Sequence, residues 1–186
     1  MKRIYGGNQV RIIAGRWRGR RVTLPSAEGL RPTGDRIRET LFNWLQADIQ
    51  GARCLDLFAG SGVLGLEAAS RGATEVVLVE QNEQVCRQLR KSIDALGPAD
   101  VTLVERAALA YLAGPPLPFD IVFLDPPFAE NHLRTVSHAL HDGGWLTPHA
   151  KIYIEQTVGE RNDLSRWSLL KEKVQGNVRF ALYAAG

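Results

Sequence analysis

Only two cysteines occur in 186 residues, and both fall inside predicted regular elements, Cys54 in a strand and Cys86 in a helix. That excludes a disulfide framework, and it excludes a zinc site built on clustered thiolates. The four histidines, His132, His138, His141 and His149, lie near one predicted helix and its exit without metal-ligand spacing. They read as solvated, and no metal is expected. No apolar run reaches membrane-spanning length, and the start, MKRIYGGNQVRI, lacks the apolar core and cleavage site of a secretory signal, so the expected location is the cytoplasm. Internal repeats, low-complexity tracts and interdomain linkers are also missing. The length suits one domain with a sizeable core.

What is present is unevenly distributed. The formal net charge is +3, yet residues 1–38 carry ten Lys or Arg against two acids, leaving the remainder net acidic. A phosphate backbone is attracted by such a segment, whereas a small ligand does not require it. Within it, VRIIAGRWRGRRVTL alternates apolar and basic residues around Gly15 and Gly19, which predicts a short bent β-hairpin. Arg11, Arg16, Arg18, Arg20, Arg21, Arg31 and Arg36 are the candidate RNA contacts, through phosphates rather than base edges. Trp17 either stacks on a base or packs against the body, as lone tryptophans usually do. The expected organisation is residues 1–24 as a basic extension and residues 25–186 as the main domain. Residues 1–9 read as disordered and 25–34 as a loop.

A helix follows, capped by Thr33 or Asp35, with Ile37, Leu41, Trp44, Leu45 and Ile49 on its docking face. Arg36, Arg38, Glu39 and Asn43 form its other side, either solvated or bordering a cleft. Beyond it, strands are expected near Cys54–Phe58, Glu75–Glu80, Val101–Glu105, Phe119–Leu124 and Lys151–Gln156, with helices between them. Such alternation implies a parallel, doubly wound sheet. Trp167–Val174 and Val178–Ala184 flank Gln175-Gly176-Asn177 and read as an antiparallel hairpin closing one edge. The fold class is α/β and Rossmann-like, with seven mostly parallel strands.

Two stretches carry the chemistry. In ARCLDLFAGSGVLGLEAA a strand runs through a glycine turn into a helix, and Gly60, Gly62 and Gly65 complete a GxGxxG. Asp56, four residues before Gly60, sits where a dinucleotide site has a small residue, because diphosphate repels a carboxylate. An acid there suits a cationic ligand. Glu80 ends the next apolar strand, where a carboxylate can accept from two ribose hydroxyls. In the second stretch, FDIVFLDPPFAE, consecutive prolines stiffen the backbone after Asp125 and remove two amide donors. The result is an acceptor-rich corner suited to an exocyclic amine, at the carboxyl edge of the sheet beside the glycine loop.

Asp-x-Phe-x-Gly-x-Gly followed by Glu80 resembles the S-adenosylmethionine site of class I methyltransferases. Together with RIIAGRWRGRRV, LRPTGDRIRETLFNWL, CLDLFAGSGVLGLEAASRGA, IVFLDPPF, GGWL and IYIE, it resembles the bacterial small-subunit rRNA methyltransferase D family over nearly the whole chain. The resemblance implies methylation of guanine N2 at one position of 16S rRNA, 966, within a partly assembled small subunit, by a monomer. By the same resemblance Asp56, Phe58, Gly60, Gly62, Glu80, Ala107 and Asp125 hold the cofactor. Asp125, Pro126 and Phe128 form the catalytic corner, with Asp125 and the Pro126 carbonyl orienting the amine and Phe128 stacking on the base. One departure stands out: where the superfamily has Asp or Asn beside the adenine, VERAALAYL offers Arg106, Ala107 and Ala108. Ala107 is left with its backbone amide, Leu109 packs nearby, and cofactor affinity is expected to be modest. The alternatives are an amine methyltransferase acting on DNA, other RNA or protein, a nicotinamide-dependent oxidoreductase, which Asp56 opposes, and a noncatalytic RNA-binding module.

Overall fold

The computed structural model describes residues 9–23, 34–97, 100–126, 132–160 and 162–185. Of the loop expected over 25–34, residues 25–33, with Arg31 and the alternative cap Thr33, lie outside these residues, as do 1–8, Pro127 and Phe128. Gln9 already belongs to a strand.

In chain order the elements are β1 (Gln9–Arg11), β2 (Arg21–Thr23), α1 (Asp35–Trp44), β3 (Arg53–Asp56), α2 (Val63–Ser70), β4 (Glu75–Glu80) and α3 (Glu83–Leu96). They continue with β5 (Val101–Glu105), α4 (Ala108–Leu112), β6 (Phe119–Leu124), α5 (His132–Asp142), β7 (Leu146–Thr157), β8 (Trp167–Gln175) and β9 (Val178–Ala185). Seven strands form one sheet in the order β5-β4-β3-β6-β7-β9-β8. β3 through β7 pair in parallel, and the last two strands are antiparallel. The order reverses between β3 and β6, so the glycine-loop strand adjoins the strand that leads into Asp125, the switch point at which such sheets bind ligands. β7 begins five residues earlier than its apolar core suggests, because the chain from Leu146 pairs with Phe119 before a register shift.

Each helix follows from its local sequence. α3 starts where the Asn82 side chain accepts the amides of Gln84 and Val85, at 2.9 and 3.2 Å, and ends at Gly97 with φ +69°; both are ordinary helix-terminus chemistry. α2 is buried at every position; all its residues are small or apolar except Glu67, whose burial needs partners of its own. α1 differs from expectation at its start. Gly34 is the N-cap, without a side-chain cap bond, and Asp35 instead turns its carboxylate to Arg38 Nη2 at 2.6 Å.

Two apolar layers flank the sheet. One holds α1, α2, Cys54, Val76, Leu78, Ile121, Phe123, Tyr153 and Phe180, and the other holds Leu55, Val77, Val122, Leu124, Trp145 and Ile154. β1 and β2 form a separate antiparallel pair whose Val10, Ile12, Trp17 and Val22 belong to the first layer. Trp17 is therefore a packing residue. The turn between the two strands is bound tightly to α2. The Arg16 amide donates to Ser70 O at 2.8 Å, the Trp17 amide to Ser70 Oγ at 3.0 Å, and Ser70 Oγ donates to Ala14 O at 2.6 Å. Gly15, at φ +81°, has no room for a Cβ, which would overlap the Ser70 carbonyl.

Beneath this turn sits Glu67, fully buried. Its carboxylate accepts the Ile13 and Ala14 amides at 2.8 and 3.0 Å and Arg71 Nε at 2.8 Å, with Arg38 Nη1 3.5 Å away. Arg38 is likewise fully buried, which corrects its placement on the polar side of α1. Its guanidinium crosses inward to Asp35, Glu67 and the Arg11 carbonyl. A buried carboxylate persists only with such a set of donors, because desolvation otherwise neutralises it.

Candidate functional site

The site is built from strand ends. On β4, β3, β6 and β7 the apolar residues Leu78, Cys54, Phe123 and Tyr153 face the layer that contains α1 and α2. Two residues further along each strand stands a carboxylate: Glu80, Asp56, Asp125 and Glu155. Side chains two apart share a face of a strand. The strand order β4-β3-β6-β7 thus sets four acids in a row at the carboxyl edge of the sheet.

The glycine loop closes one end of the row. Glu80 Oε2 accepts the Gly60 amide at 2.9 Å and Oε1 the Asn82 amide at 2.8 Å, so both oxygens are oriented and each retains acceptor capacity. Asp56, buried, accepts the Gly65 amide through Oδ2 at 3.1 Å. Gly60 and Gly62 have φ +50° and +72°, and Gly62 is the N-cap of α2. At Gly65 a Cβ would collide with the Leu78 side chain. That helix can lie against β4 and β3 only because the position is glycine.

Electrostatically the row is a trap for positive charge. Burial pushes the Asp56 carboxyl up to about 7; the Gly65 amide counters this, and Glu80 and Glu155 add to the rise. Asp125, half-buried just beyond β6 with Pro126, is held well above the carboxylate range by burial first, then by Glu155 and Asp56. Neighbouring like charges in a poorly solvated site resist simultaneous ionisation.

Asp56, Gly60, Gly62, Glu80, Asp125 and Pro126 are therefore brought together. Ala107 joins them from the end of β5, next to Arg106, whose amide donates to Glu80 O at 2.9 Å. Ala107 is exposed, and nearby Leu109 is 42% exposed. Phe58 packs, half-buried, with the apolar layer on the opposite side of the sheet from the four acids. Sequence reasoning missed Glu155. The available signal was that IYIE ends an apolar run on an acid, as LVE and CLD do.

The arginines divide into two groups. Arg16 clasps Asp100 with Nη2 at 2.6 and 2.8 Å and lies over the Trp17 ring, and Arg20 donates to Ala95 O. Arg11, Arg18, Arg21 and Arg36 are exposed.

Comparison with known proteins places this arrangement. Residues 10–184 match the family model described as conserved hypothetical protein 95. The chain is 47% identical over 180 residues to ribosomal RNA small subunit methyltransferase D of Escherichia coli K12, covering 96% of this chain and 91% of that one. It is 44% identical to the protein of the same name from Haemophilus influenzae, covering 98% and 99%. Among solved structures, yhhF from Escherichia coli superposes with a TM-score of 0.88 at 45% identity, over 95% of this chain and 98% of that one.

Proposed function

The chain belongs to the small-subunit ribosomal RNA methyltransferase D family, and on that premise we propose that it transfers a methyl group from S-adenosylmethionine to the exocyclic N2 of one guanine in 16S rRNA. By family resemblance that guanine is position 966. The observation that carries this reading is the Asp125-Pro126 corner at the end of β6, paired directly with β3 and its glycine loop. A methyl donor held on that loop and an amine held at that corner are necessarily neighbours.

The residues fit the cofactor. It is a cationic nucleoside, and the loop offers buried Asp56, the oriented Glu80 and glycine positions that keep side chains away from the backbone. In this reading Asp56 and the loop face the methionine part, Glu80 takes the ribose hydroxyls, and Ala107 offers its backbone to the adenine. Bound there, the sulfonium supplies an already activated methyl group. The Asp125 carboxylate and Pro126 carbonyl then accept hydrogen bonds from the two N2–H groups and aim the nitrogen, while Phe128 stacks on the base. Orientation, with a ceiling of about 7–11 kcal/mol, is the larger contribution. Proton acceptance by Asp125 adds roughly 10²- to 10⁴-fold.

The division at residue 24 is one of role: the basic hairpin meets RNA phosphates, and the remainder performs the transfer. The substrate is the partly assembled small subunit, the enzyme acts as a monomer in the cytoplasm, and the target base is splayed out of its stack to reach the pocket. The test is methyl transfer from labelled S-adenosylmethionine to small subunits lacking their natural modifications, with naked rRNA, tRNA and DNA in parallel. N2-methylguanosine at one site in the subunit RNA is the expected product. Label at another atom or in another nucleic acid overturns the substrate assignment.

A further inference from the structure

The transfer described above uses three of the four carboxylates in the row and leaves Glu155 without a task. Glu155 is nearly buried, at 9% exposure, inside the long β7 rather than in a loop. Because β6 and β7 run parallel with Leu124 opposite Ile154, the next residues along the two strands are Asp125 and Glu155. The Tyr153 hydroxyl donates to Glu155 Oε1 at 2.8 Å. Tyr153 is itself fully buried, with its ring edge-on to Phe123 at 6.4 Å. Phe123 and Tyr153 thus form a rigid base from which both acids project, and a donor is fixed on the outer one.

An ordinary structural role accounts poorly for this arrangement. A buried carboxylate beside two others costs stability, and an apolar residue of similar size would pack the same space. We propose that Glu155 is a positioning residue that acts through Asp125: held by the Tyr153 hydroxyl beside the Asp125 carboxyl, it makes that carboxyl the acceptor of the proton that leaves the target amine. This rests on the reading of Asp125 as the group that meets the amine. In the transfer the sulfur–methyl bond breaks to leave a neutral thioether, the nitrogen–methyl bond forms, and one N–H proton passes to Asp125 and then to water. Efficiency in such a step follows basicity near the working pH.

The charged surroundings support the assignment. Asp56 from β3 and Glu80 from β4 add negative potential on the same face. Among the described residues of the elements packed there, Arg38 of α1 bonds Asp35 and Glu67, Arg71 bonds Glu67 and Arg179 of β9 bonds Glu172. Arg36 and Glu39 of α1 are exposed.

The test uses the full chain with carbon-13 in its Asp and Glu carboxyl groups, titrated by NMR without substrate, as wild type, Glu155→Gln and Tyr153→Phe. Asp125 is expected to titrate about one pH unit or more lower in Glu155→Gln, and to move the same way by less in Tyr153→Phe. With substrate, Glu155→Gln is expected to lower plateau kcat roughly three- to tenfold and move its acid limb to lower pH. The KM for RNA should stay within about twofold, and the substitution should have no further effect on kcat in an Asp125→Asn background. An unchanged Asp125 midpoint, or additivity with Asp125→Asn, overturns the proposal. If Glu155→Gln does not fold, Tyr153→Phe, which keeps every carboxylate, carries the same measurements. Failure of the guanine-N2 reading shows separately, in the wild-type product, and leaves the substrate-free titration intact.

Discussion

Glu80 Oε2 accepts the Gly60 amide at 2.9 Å, so the acid that ends β4 and the loop that leaves β3 form one unit. Replacing Glu80 with Gln substitutes a pair of N–H donors for one carboxylate oxygen, and either the loop amide or a ribose hydroxyl then loses its acceptor. Hydrogen bonds to charged groups contribute about 1.5–3 kcal/mol. Glu80→Gln should therefore weaken S-adenosylmethionine binding by roughly tenfold or more in calorimetry, with a small change in Tm.

Asp56 makes cofactor binding depend on pH. Its carboxyl, pushed up to about 7 by burial with Glu80 and Glu155 adding to the rise, is largely protonated in the free protein below that value. A cation beside it favours the ionised form, so binding releases a proton. Affinity should rise with pH by up to about tenfold per unit as pH approaches 7, then level off. Stability of the free protein runs the other way. The folded-state value lies above the unfolded 3.8, so this group's contribution is fully favourable below about pH 4. It declines towards pH 7, at most about 1.4 kcal/mol per unit. Asp56→Asn should flatten both slopes and weaken binding. Calorimetry and urea unfolding between pH 5 and 8 read both effects.

Glu67 holds the hairpin to α2. Glu67→Ala would remove one of the two carboxylates that meet the buried Arg38 guanidinium and leave the Ile13 and Ala14 amides without their acceptor. Breaking a buried ion pair costs about 3–5 kcal/mol, which for a domain of this size is a fall in Tm of roughly 6–20 °C. Thermal unfolding of the full chain measures it.

The same packing dictates how the RNA contacts are to be probed. Removing residues 1–24 would strip Val10, Ile12, Trp17 and Val22 from the apolar layer, so its effect would mix folding with binding. Single substitutions at exposed Arg11, Arg18 and Arg21 should instead leave Tm and cofactor affinity unchanged. Each lost phosphate contact should lower the salt dependence of RNA binding by about one in slope. Arg16→Ala, which breaks the pair with Asp100, should show a smaller RNA effect.

Much of this molecule was legible locally. The apolar runs ending at Glu80, Glu105 and Leu124 gave strands whose ends agree with the structure. Burial on both faces of β4 and β6 leaves a continuous apolar signal that a polar residue terminates. The glycine turn, its adjacent acid and Asp125-Pro126 were visible for the same reason: each is a short chemical string whose function depends on neighbours in sequence. Arg38 and Glu67 were not legible. Each is one charge in a helical pattern, and nothing local distinguishes a solvated charge from a buried one whose partner is 29 residues away.

Local sequence set which segments are strands, where the chain turns on glycine, and that Asp56, Glu80 and Asp125 stand where their strands lead into the site. Only the tertiary structure decided that the hairpin belongs to the core, that Arg38 points inward, and that Glu155 stands beside Asp125. The reason is physical: backbone state and strand ends are set by residues a few positions apart. The ionisation and burial of a charge depend on every group packed around it, and strand order alone determines which distant groups those are.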